Sequence, residues 1–389
     1  MSRQEFFRIS IPAKDETGSS AQSGRVSSSD TARVPEANLK RFVERALTTV
    51  GVEEEPARIV GEVLVAADRR GIESHGVARL RWFYVDRIRN GRIEARPTYS
   101  DVRDTPTSLL LDAGNGLGHP ASHLAMTRSI DKARTSGLAF AAVRNSNHYG
   151  IAGYYAMMAL EHDMIGICST DSAHFAVPTF GRTPMQGTNP FAFAIPAGDE
   201  PAFVLDFATT TVTYGKLEVY ERKGLKLKPG WAVDNEGNPA DDPAVRHGGG
   251  SLLPLGGFGT EGGGHKGYGM GALAEILTGV LAGGWFGAAL TVAESLTSPS
   301  GITSHFFGAI RIDALRDLAT FKADMDRELR TFKQSARAPG ADRIYVAGEI
   351  EHENEIAFRR DGIPLIGPVI DDLDLLADDL GIARVARMG

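Results

Sequence analysis

The sequence contains one cysteine, no long apolar run and no excess of positive charge, and each shortage argues against a class of protein. Cys168 alone cannot build an intramolecular disulfide framework, so a reducing compartment such as the cytoplasm fits. No apolar run reaches the roughly 18 residues of a membrane-spanning helix. The nearest one, residues 273–286, contains glycines and Glu275 and predicts a buried helix. The net charge of -7 argues against nucleic acid as the main partner.

Several motifs that mark common enzyme classes are also missing. There is no Walker loop and no G-x-S-x-G elbow, so nucleotidase and hydrolase interpretations lack their signatures. His119 and His123 are four residues apart, but two ligands are too few for a catalytic zinc. We interpret them as ordinary histidines on a helix surface and expect no metal site. Residues 262–267 match G-x-G-x-x-G by spacing, yet no strand precedes them, and we therefore reject a conventional Rossmann site.

Glycine, in contrast, is abundant. The chain has 45 glycines in 389 residues, which is about 12% against a usual value of about 7%. The excess is concentrated in residues 256–271, ahead of a helix of small residues. Glycines at a helix start expose backbone N–H groups, and a helix N-terminus attracts phosphate. Because Lys266 adds a positive charge, we expect an anion site here; the alternative is a flexible loop with an incidental lysine.

The order of apolar patterns along the chain predicts an α/β or α+β protein. Residues 1–33 form an extension, rich in serine from residue 18 to 31, which cannot bury a core and is expected to be disordered. Helical spacing recurs over residues 39–50, 59–67, 80–88, 154–159, 273–281, 315–332, 351–358 and a final segment from 371. Short apolar runs predict strands at residues 138–143, 164–168, 191–195, 203–207, 306–312 and 343–346.

Chemistry is concentrated in the stretch Ser74-His75-Gly76-Val77-Ala78-Arg79. A histidine can give or take a proton near neutral pH. An arginine one helical turn further along can hold a carboxylate through two parallel hydrogen bonds. The stretch therefore suits a small hydroxy or keto carboxylic acid. His148 and Asp206 each follow a predicted strand, which is where ligands bind in many α/β folds, although a turn histidine and a helix cap would explain them as well.

Taken together, these stretches resemble the malate/L-lactate dehydrogenase family of NAD(P)-dependent 2-hydroxyacid oxidoreductases. The resemblance runs from about residue 34 to about residue 382. It rests on six motifs in order: Ser74-His75-Gly76-x-x-Arg79, Asn147-His148, Gly187-Thr-Asn-Pro190, Asp206-Phe-Ala-Thr209, Gly264-His-Lys-Gly-Tyr-Gly269 and Gly348-Glu349.

The resemblance implies a fold, a cofactor and a set of site residues. The fold would be a non-Rossmann α/β one with a mixed, largely antiparallel sheet surrounded by helices, and the protein would be a homodimer that uses NAD or NADP. Residues 34–115 with 285–389 would form a helical, dimerising and substrate-binding domain, and residues 116–284 the NAD(P)-binding domain. The substrate pocket would contain Ser74, His75, Arg79 and His148. The cofactor contacts would fall on Ser172, Asp206, Phe207, Ala208, Lys266, Gly267, Ala347, Gly348 and Glu349.

The chain departs from the family pattern in two places. Phe83 stands where relatives usually carry tyrosine, which predicts a pocket without that hydroxyl, and Ala347 replaces a proline before Gly348. We expect hydride transfer between the nicotinamide cofactor and a small 2-hydroxy or 2-oxo acid of the malate, lactate, ureidoglycolate or sulfolactate type. A reductase of a cyclic imino acid and a catalytically inactive homologue are the alternatives. The sequence does not decide between NAD and NADP. It also does not decide whether His75 or His148 is the acid/base.

Overall fold

A computed structural model of the chain describes residues 31–222, 224–287, 289–290 and 302–388. The strands are β1 (Thr31–Val34), β2 (Ser100–Asp104), β3 (Ser108–Asp112), β4 (Leu138–Ser146), β5 (Met164–Thr170), β6 (Phe191–Ile195), β7 (Phe203–Phe207), β8 (Ala232–Val233), β9 (Pro239–Ala240), β10 (Ser251–Leu252), β11 (Thr303–Arg311) and β12 (Ile363–Ile366). The α-helices are α1 (Glu36–Thr49), α2 (Glu54–Arg69), α3 (Asp86–Arg89), α4 (Gly118–Ser136), α5 (Ala152–Met158), α6 (Tyr214–Arg222), α7 (Gly264–Glu275), α8 (Leu318–Gln334), α9 (Glu349–Asp361) and α10 (Gly367–Leu380). Two π-helical turns, Leu80–Val85 and Ile276–Val280, continue helical segments.

A seven-stranded mixed sheet forms the centre, in the order β2-β3-β4-β11-β5-β6-β7. Only β3 and β4 run parallel within it; the other neighbours are antiparallel. The middle strand β11 is buried from Ser304 to Ala309, as expected of a strand that is covered on both faces. The expected fold class, a mixed and largely antiparallel sheet with surrounding helices, is therefore confirmed.

A second core lies in a helical body built from both ends of the described chain. α1 and α2 place one apolar face each against α10 and β12, around fully buried residues such as Leu39, Leu64 and Leu376. β1 pairs antiparallel with β12, so residues 31–33, which we had assigned to the extension, belong to this body. Residues 1–30 lie outside the described part of the chain.

The structure differs from the sequence-based expectations at several points. Residues 343–346 form no strand, and a single hydrogen bond, from Val204 N–H to the Ala347 carbonyl, joins that segment to the sheet. The helix expected to be buried exposes Leu273, Ile276 and Leu281, because nothing in the described chain covers that face. The sheet draws β2, β3 and β11 from residues 34–115 and 285–389, and β4 to β7 from residues 116–284; the expected division into two domains stays a prediction. None of the described helices is long and apolar enough to cross a membrane.

Candidate active site

The Ser74–Arg79 stretch folds as two short 3₁₀ turns over a buried carboxylate. The turns are Glu73–His75 and Val77–Arg79, and Gly76 joins them. Asp68, at the end of α2, accepts a hydrogen bond from Val77 N–H at 2.8 Å. A Cβ at position 76 would lie 1.8 Å from the Asp68 Oδ1 atom, so only glycine allows this approach. The carboxylate thus supports the backbone that carries His75.

The structure brings His75 and His148 together. Their rings stack with centroids 5.5 Å apart and planes at 21°. His75 Nδ1 lies 2.8 Å from the Ser74 hydroxyl, and His148 Nδ1 lies 2.6 Å from the Tyr84 hydroxyl. Burial, followed by the charge of Arg79, lowers the pKa of His75 to about 4. Burial, followed by the neighbouring His75, holds the pKa of His148 well below its usual value, so both rings are neutral at pH 7.

Tyr84 adds a hydroxyl that the sequence analysis did not place at the site. It lies in the π-helical turn Leu80–Val85, and its hydroxyl lies 2.6 Å from His148 Nδ1. The expected loss of a hydroxyl concerned position 83, where the Phe83 ring faces His148 and Arg79. The effect of that phenylalanine on the substrate stays a prediction.

Arginine side chains flank the aromatic wall of this pocket. The Arg79 guanidinium carbon lies 5.2 Å from the Phe83 ring centroid, and that of Arg87 lies 4.8 Å from the same centroid. The Phe83 ring is itself 5.0 Å from the His148 ring. Arg79 Nε donates to the Ser74 carbonyl at 2.7 Å, which ties the arginine to the histidine motif. The pocket can therefore offer two positive charges near the histidine pair.

A cleft of about 340 Å³ opens beside the histidine pocket. Ile72 and Ile151, three residues from His75 and His148, form part of its wall. Asp206 lines it, and its carboxylate accepts Gly153 N–H at 2.7 Å. The surrounding walls of the cleft partly desolvate Asp206 and raise its pKa to about 6, although its side chain is exposed to the cleft and this hydrogen bond opposes the shift. A cleft of this size next to proton-transfer groups is the usual place for a small ligand or part of a cofactor.

The opposite wall of the cleft is the start of α9. Ala347 and Gly348 line it, and Gly348 has a φ of 87°. A Cβ at Gly348 would lie 2.8 to 3.0 Å from Val204 atoms, so the close approach of this turn to β7 requires glycine. The exposed N–H groups at the start of α9 can hold a phosphate or a ribose oxygen. A contact of Ala347 and Gly348 with the cofactor, which the family resemblance implies, stays a prediction.

Other predicted cofactor residues follow the end of β7 or contact the segment that leaves it. Phe207 and Ala208 lead from Asp206 to Thr209, whose N–H donates to the Thr188 carbonyl at 2.9 Å. Thr188 N–H in turn donates to the Ser172 hydroxyl at 2.9 Å. The three residues from Asp206 to Thr209 span at most about 10 Å. The contacts around Thr209, Thr188 and Ser172 therefore lie within reach of an extended dinucleotide that starts in the cleft.

The glycine-rich segment packs against this layer. Leu255 N–H donates to the Thr209 carbonyl at 2.9 Å, and a Cβ at Gly267 would lie 2.2 Å from the Leu255 carbonyl oxygen. Lys266, one residue earlier in the first turn of α7, is exposed. Glu349 does not line the cleft: its carboxylate accepts Val346 N–H and lies 3.6 Å from Lys333 Nζ.

Sequence reasoning missed several groups in and around the site. Tyr84, Asp68 and Arg87 contact or support the histidine pocket, and Glu351 lines the cleft. None of these four residues stands in a motif. His119, interpreted as a surface histidine, is fully buried, packs edge-on against Tyr84 with ring centroids 4.9 Å apart, and has no hydrogen-bond partner among the described residues on either ring nitrogen.

Known proteins resemble this chain over nearly its whole described length. Residues 34–374 match the family described as Malate/L-lactate dehydrogenase. Malate dehydrogenase of Pyrococcus abyssi is 43% identical over 350 residues, which are 90% of this chain and 95% of the relative. The crystal structure of malate dehydrogenase from Entamoeba histolytica superposes with a TM-score of 0.87 and 36% identity, and covers 91% of this chain and 99% of that one. Δ1-Piperideine-2-carboxylate reductase from Pseudomonas syringae pvar. tomato superposes with a TM-score of 0.76 and 26% identity, covering 89% and 99%.

A histidine pair beside a cleft, on a mixed sheet that the chain shares with dehydrogenases of solved structure, places it among the oxidoreductases. The chain belongs to the malate/L-lactate dehydrogenase family. It is an NAD(P)-dependent 2-hydroxyacid dehydrogenase, which transfers a hydride between NAD or NADP and a small 2-hydroxy or 2-oxo acid. Its relatives are named malate, sulfolactate and ureidoglycolate dehydrogenases.

Proposed function

We propose that the acid is a dicarboxylate of the malate and oxaloacetate type. The observation that carries this proposal is a pair of guanidinium groups, those of Arg79 and Arg87, which both contact the Phe83 ring beside His148. Arg87 forms no ion pair with any acidic side chain among the described residues, and burial lowers its pKa. A half-buried guanidinium without a counter-charge is unfavourable, and a second substrate carboxylate would supply that charge. Malate has two carboxylates and lactate has one. The similarity to malate dehydrogenase of Pyrococcus abyssi supports the same choice.

The side chains then divide the chemistry between them. Arg79 holds the carboxylate next to the reacting carbon, and Arg87 faces the distal one. Oxidation removes the hydroxyl proton, which His75 or His148 accepts, and a hydride from the same carbon. NAD or NADP, when bound, accepts that hydride at its nicotinamide ring. Asp206, Phe207, Ala208, Ala347 and Gly348 would hold one part of the cofactor. Ser172, Lys266 and Gly267 would meet another part, and Glu349 would support the turn.

A substrate panel tests the acid. We expect oxaloacetate to be reduced with a higher kcat/KM than pyruvate, with NADH or NADPH as donor. Arg87→Met should lower kcat/KM for oxaloacetate by about tenfold or more, the effect of losing one hydrogen-bonded charge pair, and change the value for pyruvate by less than about threefold. Arg89→Met is the matched control, because Arg89 ends the same helix α3 and pairs at the surface with Asp379. Equal losses on both acids in Arg87→Met would contradict the proposal.

Two further variants test the proton transfer. A well-placed acid/base group contributes about 10²- to 10⁴-fold to the rate. The histidine that transfers the proton should lose about that much kcat on conversion to Asn, with a smaller change in cofactor affinity. If His75→Asn and His148→Asn both stay near the wild-type rate, the proton comes from another group.

A cyclic imino acid is the second candidate substrate. The superposition with Δ1-piperideine-2-carboxylate reductase favours it, since an imine carbon beside a carboxylate presents the same geometry as a 2-oxo acid. Such a substrate has one carboxylate and would leave Arg87 without a counter-charge. Adding Δ1-piperideine-2-carboxylate to the panel decides between them: turnover faster than with oxaloacetate would favour the imine.

We further propose that the chain works as a cytoplasmic homodimer. Leu273, Ile276, Val280 and Leu281 present one exposed apolar face, and a second copy would remove it from water. The lone Cys168 is compatible with a reducing compartment. The helical body would contain the substrate pocket, and the edge of the sheet would bind the cofactor. A monomeric mass in light scattering at micromolar concentration would contradict the dimer.

A further inference from the structure

Tyr84 contacts the side chain of His148. It is fully buried, and its hydroxyl lies 2.6 Å from His148 Nδ1. Gly150 N–H points at the same nitrogen from 3.3 Å. A backbone N–H can only donate, so the lone pair of His148 Nδ1 must face it. Burial raises the pKa of Tyr84 far above its ordinary value, so the phenol keeps its proton and also donates.

Two donors on one imidazole nitrogen determine where the hydrogen of the neutral ring sits. A neutral imidazole carries one hydrogen, on Nδ1 or on Nε2. Since Nδ1 of His148 accepts, Nε2 carries the hydrogen and can donate to an oxygen in the pocket. His75 differs, because the Ser74 hydroxyl that lies 2.8 Å from its Nδ1 can accept as well as donate. The Nε2 atom of His75 can therefore keep its lone pair.

We propose that Tyr84 is a positioning residue that holds His148 as the Nε2–H tautomer, so that His148 donates to the substrate oxygen and His75 exchanges the proton. This rests on the proposed function, in which both rings face the reacting carbon. In the oxidation direction the substrate hydroxyl receives a hydrogen bond from His148 Nε2–H and gives its proton to His75 Nε2. The hydride leaves the same carbon for the nicotinamide, and the carbonyl forms. Reduction reverses each transfer, with His75 returning the proton.

The tautomer can be measured on the resting protein. We would label the histidine side chains with ¹⁵N and record long-range ¹H–¹⁵N correlation spectra, which distinguish the nitrogen that bears hydrogen from the one that does not. The His148 signals are those that vanish in His148→Gln. We expect wild-type His148 to bear its hydrogen on Nε2. An Nδ1–H signature in the wild-type protein overturns the inference, whether or not any variant folds.

Kinetics of Tyr84→Phe give the second readout. Removal of the hydroxyl leaves only the weaker contact from Gly150 N–H, so His148 should populate both tautomers and kcat should fall on the order of tenfold. KM for the 2-oxo acid should change by less than about threefold, since Arg79 is untouched. Tyr154→Phe is the control, because it removes a hydroxyl that contacts Glu62 on the outer side of α2. A Tyr84→Phe variant with wild-type kcat and an unchanged tautomer overturns the inference.

The two failures can be told apart. If the enzyme turns over acids but His148 carries its hydrogen on Nδ1, only the role of Tyr84 is lost. If no 2-oxo acid or imine is turned over with either cofactor, the proposed function fails, whatever tautomer the spectra report.

Discussion

Replacing Arg79 with lysine keeps the positive charge in the pocket but removes the planar guanidinium group. The guanidinium presents a planar fork that matches a carboxylate through two hydrogen bonds, and an ammonium group cannot reproduce it. Lysine also cannot repeat the bond from Arg79 Nε to the Ser74 carbonyl at 2.7 Å, which connects the arginine to the residue before His75. The substitution should therefore affect the carboxylate and the position of the histidine together.

The magnitude follows from the hydrogen bonds lost. A hydrogen bond to a charged group is worth about 1.5 to 3 kcal/mol, which corresponds to roughly 10- to 150-fold in rate. We expect Arg79→Lys to lose that much kcat/KM on the best 2-oxo acid, while the dissociation constant of NADH or NADPH, followed by nicotinamide fluorescence, changes little. The melting temperature should fall by no more than a few degrees, since the bond from the charged guanidinium to the Ser74 carbonyl is worth about 1.5 to 3 kcal/mol.

Arg81→Lys supplies the matched comparison. Arg81 lies two residues further along and pairs with Asp372 at 3.4 Å, with about a third of each side chain exposed. Such surface pairs contribute about 0 to 1 kcal/mol to folding stability. The kcat/KM of Arg81→Lys should therefore fall by less than about fivefold. If Arg79→Lys keeps a normal kcat/KM, or if both variants lose the same amount, Arg79 is not a carboxylate clamp and much of the case for an acid substrate goes with it.

Three further outcomes can be checked. Lys266→Met should raise the KM of the cofactor far more than that of the acid, because Lys266 lies exposed at the glycine-rich start of α7; an unchanged cofactor KM removes it from the site. A chain that starts at Thr31 keeps β1 whole and should keep its activity and melting temperature, and a clear loss of either would show that residues 1–30 matter. Burial lowers the pKa of His119 and of His305 to about 3, below their unfolded value of about 6.5. Their neutral forms therefore favour the fold fully above pH 6.5, and this contribution is lost as the pH falls toward 3. His119→Phe should remove about 1.4 kcal/mol per pH unit from the slope of unfolding free energy between pH 6 and 4, and the exposed His162→Phe should not.

Elements with a strong local pattern could be predicted from the sequence. β6 and β7 lie at the predicted residues, and β4, β5 and β11 within a few residues of them, because short apolar runs bounded by turns have few other solutions. Residues 343–346 carry the same kind of pattern and form no strand, since strand pairing depends on a neighbour that the local sequence does not reveal. The apolar face of the helix after Gly264 was predicted, but periodicity does not say what covers a face.

Site residues that belong to a sequence motif could be predicted. Residues that reach the site only through the folded structure could not. His75 and His148 are separated by 73 positions and meet only through the fold. The need for glycine at position 76 becomes visible only once the Asp68 carboxylate lies beneath it. Tyr84 stands in no motif, and its contact with His148 becomes visible only in the fold, since 64 positions separate the two residues.

The π-helical turn Leu80–Val85 carries two tasks on adjacent residues. Phe83 contacts both arginines and so bears on the size and charge of the acid, whereas the hydroxyl of Tyr84 contacts the imidazole of His148. Substrate range and proton handling thus become independent variables on adjacent residues. A smaller side chain at position 83 would widen the space for the acid without disturbing the hydroxyl on His148. This turn is therefore the natural place to redesign which acid the enzyme accepts while leaving its proton chemistry intact.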